Sequence, residues 1–375
     1  EDSGVLTIAG TSSFTTSATD ADINLNNANA FTGAVALNTT GLTGHATVVD
    51  SSVLNLGAST VGGNLSATAT TGNIWDSGNL AVTGTATFIT GASGSSIYLD
   101  ASGNAFSNAV TLQADDGSEA FGHIIFVDSG AVKLHSSAGA NGDLYINAAT
   151  DAAVGGNLNI TATTGNITQG RVVAVGGTSS FTTSANNATI TLNNANAFTG
   201  AVALNTTGSS GHATIDNGTT ALNIAVSSVG GNLTLTSGHA SGITDSGTVT
   251  VGGNLLATTD AANGVINLGT LAVDGTVALT TNGSGNATIV NDAGLTFAAS
   301  TVGGNFAATA TTGNVTQSGA LSVTGTSSYT TSANNAYIAL SNQTNAFTGA
   351  VSLNTTGADG FARIDGGTTA LDIAA

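Results

Sequence analysis

Cysteine, methionine and proline are absent from all 375 residues. Without cysteine the chain forms no disulfide, no thiolate nucleophile and no cysteine-based zinc site. Lysine and arginine together number three, Lys133, Arg171 and Arg363, against 21 aspartates and glutamates, for a formal net charge of −18. No basic footprint exists to release counterions from phosphates, which excludes a nucleic-acid partner and disfavours electrostatic docking on anionic lipid. No run of 18 apolar residues occurs, so no membrane insertion by a spanning helix is expected. Aromatic residues make up only 5% of the chain, so large anchoring side chains are scarce.

What is present is small and β-forming. There are 52 glycines, and the 41% hydrophobic fraction is mostly alanine, followed by valine, leucine and isoleucine. That suits a long thin core better than a broad one. Charged residues are only 6%, and Thr, Val and Ile abound, so this is a folded chain and not a polyacidic disordered tail.

Internal repetition is the strongest signal. The tetrad Val-Gly-Gly-Asn starts at Val61, Val154, Val229 and Val302, placing Asn64, Asn157, Asn232 and Asn305 in one phase. Asn-Ala-Phe-Thr-Gly-Ala-Val recurs at Phe31, Phe198 and Phe347, with decayed copies at Phe106 and Val273. Both series give a unit of about 75 residues, hence about five degenerate copies in one continuous array over 1–375, with one longer unit in the first half. The surplus, roughly one coil, falls within about 95–150, where Gln113–Phe126 matches nothing else. Inside the unit, steps from Val61 to Val82 and from Val302 to Val323 imply coils of about 19–25 residues, three or four per unit.

Apolar and polar residues alternate over four or five positions, as in Asn-Leu-Thr-Leu-Thr (232–236), between Gly-Asn and Ser-Gly steps. Period two with β-branched residues predicts short strands, and these turn residues tolerate tight bends. Each coil presents only a few inward Val, Leu or Ile residues and buries them only against its neighbours. The sequence therefore predicts an all-β parallel β-helix (β-solenoid) of about 15–20 coils, with the same residue recurring at the same height in successive copies. At about 4.8 Å per coil, such a rod is roughly 70–95 Å long. The recurring asparagines either hydrogen-bond up and down the stack or serve turns; both remain open at this stage.

Candidate chemistry is sparse. Asp115, Asp116 and Glu119 precede Asp128, Lys133 and His135 by about one coil, the only place where acid, base and cation types gather. These carboxylates are the weak metal candidates, for calcium at most; no calcium nonapeptide, EF-hand, phosphate loop or nucleophile elbow occurs. The expectation is a solvated loop, no resident cofactor and no enzyme, with a carbohydrate-cleaving β-helix as the lesser alternative. His45, His123, His135, His212 and His239 are dispersed, and Phe361 stands where His45 and His212 have their equivalents, so packing is expected of them, not catalysis. The Phe31 series and the Phe14, Phe181, Tyr329 series are expected inside the core.

The run Val-Gly-Gly-Asn-Leu-x-Ala-Thr-Ala-Thr-Thr-Gly-Asn-Ile resembles the repeat arrays of filamentous-haemagglutinin-like, two-partner-secreted adhesins and kindred β-strand-repeat exoproteins of bacteria. The resemblance covers the chain except roughly 95–150. It implies a right-handed helix, secretion in unfolded form, an extracellular or cell-surface location, and a structural role in a fibre or giant adhesin. A glycan or protein ligand held by the irregular 100–150 region is the alternative. Residue Glu1 reads like the middle of a repeat and neither terminus carries a polar cap, so continuation of a longer array or end-to-end self-association is expected.

Overall fold

The computed structural model describes residues 1–114, 122–134, 143–146 and 152–374. The chain divides into two compact units, Glu1–Ala185 and Asn186–Ala375. Both are parallel β-solenoids, together about 15 turns, and no helix occurs among the described residues. The predicted fold class is therefore observed.

A turn combines one five-residue strand with two shorter ones. In the first unit Leu65–Ala69, Ile74–Asp76 and Leu80–Val82 make one turn, followed in register by Ala86–Thr90, Ile97–Leu99 and Ala105–Phe106. In the second, Leu233–Ser237, Ile243–Asp245 and Val249–Val251 lead to Leu255–Ala262 and Ile266–Val273. Residue alternation sets the faces. In Leu233–Ser237 the Leu233, Leu235 and Ser237 side chains are buried while Thr234 and Thr236 lie between them, less covered. Parallel pairing puts each inward side chain over an inward side chain of the next turn, as Leu233 over Leu255, and full burial of one leucine or valine contributes about 1.5–3 kcal/mol.

The repeat markers form the core. Val61, Val154, Val229 and Val302 are buried, as are Phe31, Phe198 and Phe347. Aromatic rings run as a spine along the interior. Phe106 lies 6.0 Å from Phe88 and 5.4 Å from Phe126 in the first unit. Tyr329 lies 5.6 Å from Phe306 and 6.2 Å from Phe347 in the second. Phe181 and Tyr329 are fully buried, and Phe14 is half-buried.

The sequence repeat is not a whole number of turns, which corrects the expectation that copies recur at one height. In the second unit Leu233 pairs with Leu255, Leu255 with Val277, and Val277 with Phe297, one turn apart each time. Phe306, the next copy of Leu233, lies nine residues beyond Phe297 and pairs with Ala287 in the other sheet. The same exchange occurs in the first unit. There Leu65 stacks between Ala46 and Ala86, whereas Leu158 stacks between Ile124 and Ser179. Between one copy and the next the long strand moves to a different face, so the unit holds three turns and a fraction.

Near the irregular stretch the step lengthens. Asn157 bonds to His123 across 34 residues, and Thr164 to Ser129 across 35. Asp143–Ile146 enters one face between Val110–Gln113 and Val132–Leu134.

Candidate functional site

The chemistry-bearing side chains of the described residues concentrate at the corners between strands, where strand pairing leaves backbone N–H groups to be satisfied. Along one exposed corner of the first unit, each turn accepts a backbone N–H from the next. Asp22 Oδ1 accepts from His45 N at 2.8 Å, His45 Nδ1 from Asn64 N at 2.8 Å, and Asn64 Oδ1 from Thr85 N at 2.9 Å. A second series runs Asn73, Ser96, His123, Asn157, Thr178, at 2.8–2.9 Å throughout. In the second unit His212 Nδ1 accepts from Asn232 N at 2.8 Å, and Asn232 Oδ1 from Asn254 N at 2.9 Å. Asn305 Oδ1 accepts from Thr326 N at 2.9 Å.

The question of stack against turn is thus answered by both at once. The amide of each Val-Gly-Gly-Asn bonds along the stack, but to the main chain of the following turn and not to another amide. His45, His123 and His212, for which packing was expected, stand at these corners and each accept a main-chain N–H at Nδ1.

A second corner is buried and had no sequence forecast. Phe31 N–H donates to Asp50 Oδ2 at 2.9 Å and Phe106 N–H to Asp128 Oδ1 at 3.2 Å. Phe198 N–H donates to Asn217 Oδ1 at 2.7 Å and Val273 N–H to Asn291 Oδ1 at 2.8 Å. The four donors are members of one repeat series, and their acceptors lie about one turn later. The available signal was an Asp or Asn closing an apolar strand, as in Phe-Val-Asp128 or Ile-Val-Asn291. In the first unit further carboxylates share this duty: Asn104 Nδ2 donates to Asp76 Oδ2 at 2.6 Å, and Asn29 Nδ2 to Asp2 Oδ2 at 2.8 Å.

Of the metal candidates, Asp115, Asp116 and Glu119 lie outside the described residues, as does His135. Asp128 is buried, and its Oδ1 also accepts from Gly130 N at 3.2 Å. Burial pushes the Asp128 carboxyl above the ordinary carboxylate range, against N–H bonds from Gly130, Phe106 and Ser129 that pull it down. Asp76 is raised for the same reason, against bonds from Asn104, Asp100 and Ala101. Lys133 sits in register with Thr168 on the opposite side of its strand from that of Asp143. Asp216 and Asp365, which recur in Ile-Asp-x-Gly, close local turns by accepting from Gly218 N and Gly367 N at 2.8 Å. Among the described residues no three His, Asp or Glu side chains converge on a point. The hollow between Thr248, Thr270, Val290 and Asp292, of about 300 Å³, holds a single carboxylate, whereas one of about 520 Å³ beside Phe14 is lined by Glu1, Asp2 and Asp22, which do not converge on a point.

Aromatic side chains on the outside are few. Trp75 is 41% exposed and pairs in register with Tyr98 on the next turn. Tyr337 and Phe361 stack at 5.1 Å with rings 8° from parallel.

With this geometry in hand, the relation to known proteins is narrow. A family described as repeats of unknown function (DUF5649) matches residues 1–38, 43–113, 127–205, 210–264 and 284–354. The chain belongs to this family. No curated protein and no solved structure matches it. The DUF5649 matches take in Val61, Val154, Val229 and Val302 together with their corner asparagines, and leave out 114–126, where Asp115, Asp116 and Glu119 lie. In this chain the matched segments are lengths of solenoid whose corner side chains fasten one turn to the next.

Proposed function

We propose that the chain is a structural, non-enzymatic segment of an extracellular or cell-surface fibre or giant adhesin. The observation that carries this reading is the use made of the polar groups. The carboxylates, imidazoles and amides in regular register, from Asp22 and His45 to Asn217 and Asn305, bond to main-chain N–H groups of adjoining turns. Groups so engaged reinforce the stack, whereas general acid–base work needs carboxylates converging on a cleft with lone pairs free for a substrate. The likeness of the Val-Gly-Gly-Asn run to secreted adhesin repeats supports the surface location, as does a cysteine-free chain suited to crossing an envelope unfolded. A parallel solenoid grows by adding turns, so its natural partner is further solenoid, in the same chain or in a second copy.

Immunoelectron microscopy of the producing cell, with an antibody raised against the folded chain, tests this. Label along extracellular filaments is expected; label confined to the cell interior would overturn the proposal.

A further inference from the structure

One outward column of the first unit departs from the polar pattern around it. In register on successive turns stand Asn55, Trp75, Tyr98, Ile125, Asn159 and Ser180. Trp75 is the only tryptophan of the chain and is 41% exposed. Tyr98 and Ile125 are half-buried at outward positions between inward neighbours: Ile97 and Leu99 flank the first, Ile124 and Phe126 the second. Outward positions on the adjoining strands carry small residues, Ser66 and Thr87 on one face, Thr60 and Ala81 on another. Parallel pairing sets the strands that carry Trp75 and Tyr98 about 4.8 Å apart along the stack. Val53, 45% exposed, adds apolar surface at the corner beside Asn55.

We infer that this column is a binding surface for a neutral polysaccharide. Three features select that ligand. The column contains no charged residue, and the molecule around it carries a net charge of −18, so an anionic polymer is repelled and no counter-charge is offered for recognition. Its apolar members, Trp75 and Val53 with the half-buried Tyr98, Ile125 and Val127, are far fewer than the roughly 20–30 residues a side of a stable protein interface. A linear chain of uncharged sugars presents narrow C–H faces that lie on indole and phenol rings, with hydroxyls at the rim. The Asn159 amide and the hydroxyls of Tyr98 and Ser180 stand on the same column for those hydroxyls. Such attachment is independent of the structural reading.

Because Trp75 is the sole indole, its fluorescence reports the site directly. The intact chain is titrated with xyloglucan, laminarin and galactomannan as neutral probes and with alginate as an anionic one. The same polymers are used in affinity electrophoresis. At least one neutral polymer is expected to shift Trp75 emission and retard the chain, with alginate doing neither. Trp75→Ala and Tyr98→Ala, both at outward positions, are expected to weaken retardation tenfold or more with the far-ultraviolet circular dichroism unchanged. Trp75→Phe is expected to restore part of it. A Tyr337→Ala, Phe361→Ala variant of the stacked pair in the second unit is expected to bind as wild type. The inference fails if no neutral polymer shifts the emission, if Trp75→Ala leaves retardation intact, if alginate binds equally, or if emission shifts with protein concentration alone, the mark of self-association through the column.

Discussion

Phe198 and Asn217 hold each other across one turn by two hydrogen bonds. Phe198 N–H donates to Asn217 Oδ1 at 2.7 Å, and Asn217 Nδ2 returns to Phe198 O at 3.0 Å, both groups buried. Nδ2 reaches Ala221 O at 2.9 Å as well. Val273 and Asn291 repeat the pair at 2.8 and 3.1 Å. Replacing Asn217 by Ala strands the Phe198 N–H and two carbonyls in the interior. A loss of about 2–3 kcal/mol is expected, read from chemical denaturation of the intact chain.

The first unit carries a carboxylate where the second has this amide. Asp128 stands to Phe106 as Asn217 stands to Phe198, yet burial raises its carboxyl above the ordinary range. A folded-state value above the unfolded one means the native protein binds the proton more tightly. That contribution is present at low pH and lost as pH rises through the raised value. At neutral pH Asp128 is therefore a net cost, and Asp128→Asn is expected to stabilise by about 1 kcal/mol. The gain should shrink as pH falls toward the ordinary carboxylate range. Melting curves of both proteins between pH 7 and pH 4 measure it; equal stability at every pH would refute it.

Tyr329 occupies a position where the other copies have Phe14 and Phe181. Its hydroxyl is buried, with Ser327 beside it but no hydrogen bond of good geometry, and burial pushes the phenol above its usual range against the pull of Ser327. Tyr329→Phe removes an unsatisfied polar group and should raise stability by about 1 kcal/mol. The sign with pH is opposite to a salt-bridged acid. A raised phenol means stability is full below the ordinary tyrosine range and lost above it, so the advantage of Tyr329→Phe should widen in alkali. Urea midpoints at pH 8 and pH 11 decide the matter.

At the exposed corner the acceptor matters more than the residue that supplies it. His45 Nδ1 takes the Asn64 N–H at 2.8 Å, and Asn286 Oδ1 does the same for Asn305 at 2.7 Å. His45→Asn should therefore match wild type, while His45→Ala loses about 1 kcal/mol. Exchange of the Asn64 amide hydrogen, followed by NMR, should accelerate in the second variant only.

The solenoid was legible because alternation, turn residues and a fixed period all agree. Each five-residue strand such as Leu158–Ala162 states its buried face in its own residues. Left-handed corners were foreshadowed by composition too: Asn187 has φ +65°, and Gly208, one turn on, has φ +81°. The shift of the repeat from face to face was not legible. It depends on turn length, and corners of similar composition close turns that put Asn305 19 residues after Asn286 but Asn254 22 after Asn232. Nor was the buried Asp and Asn corner. Asp50 and Asn217 read as turn residues in sequence, and only the register reveals that each faces the phenylalanine of the previous turn.

Pulling a single chain from both ends in a force spectrometer most directly tests whether it is built as a stack fastened turn by turn. Freeing one turn of about 22 residues lengthens the chain by roughly 70 Å at full extension. Successive steps of that size, or small multiples of it, are expected, with Asn217→Ala lowering the force of a subset of steps in the second unit. Release of each whole unit in one rupture, with no such steps and no effect of the substitution, would contradict a structural stack.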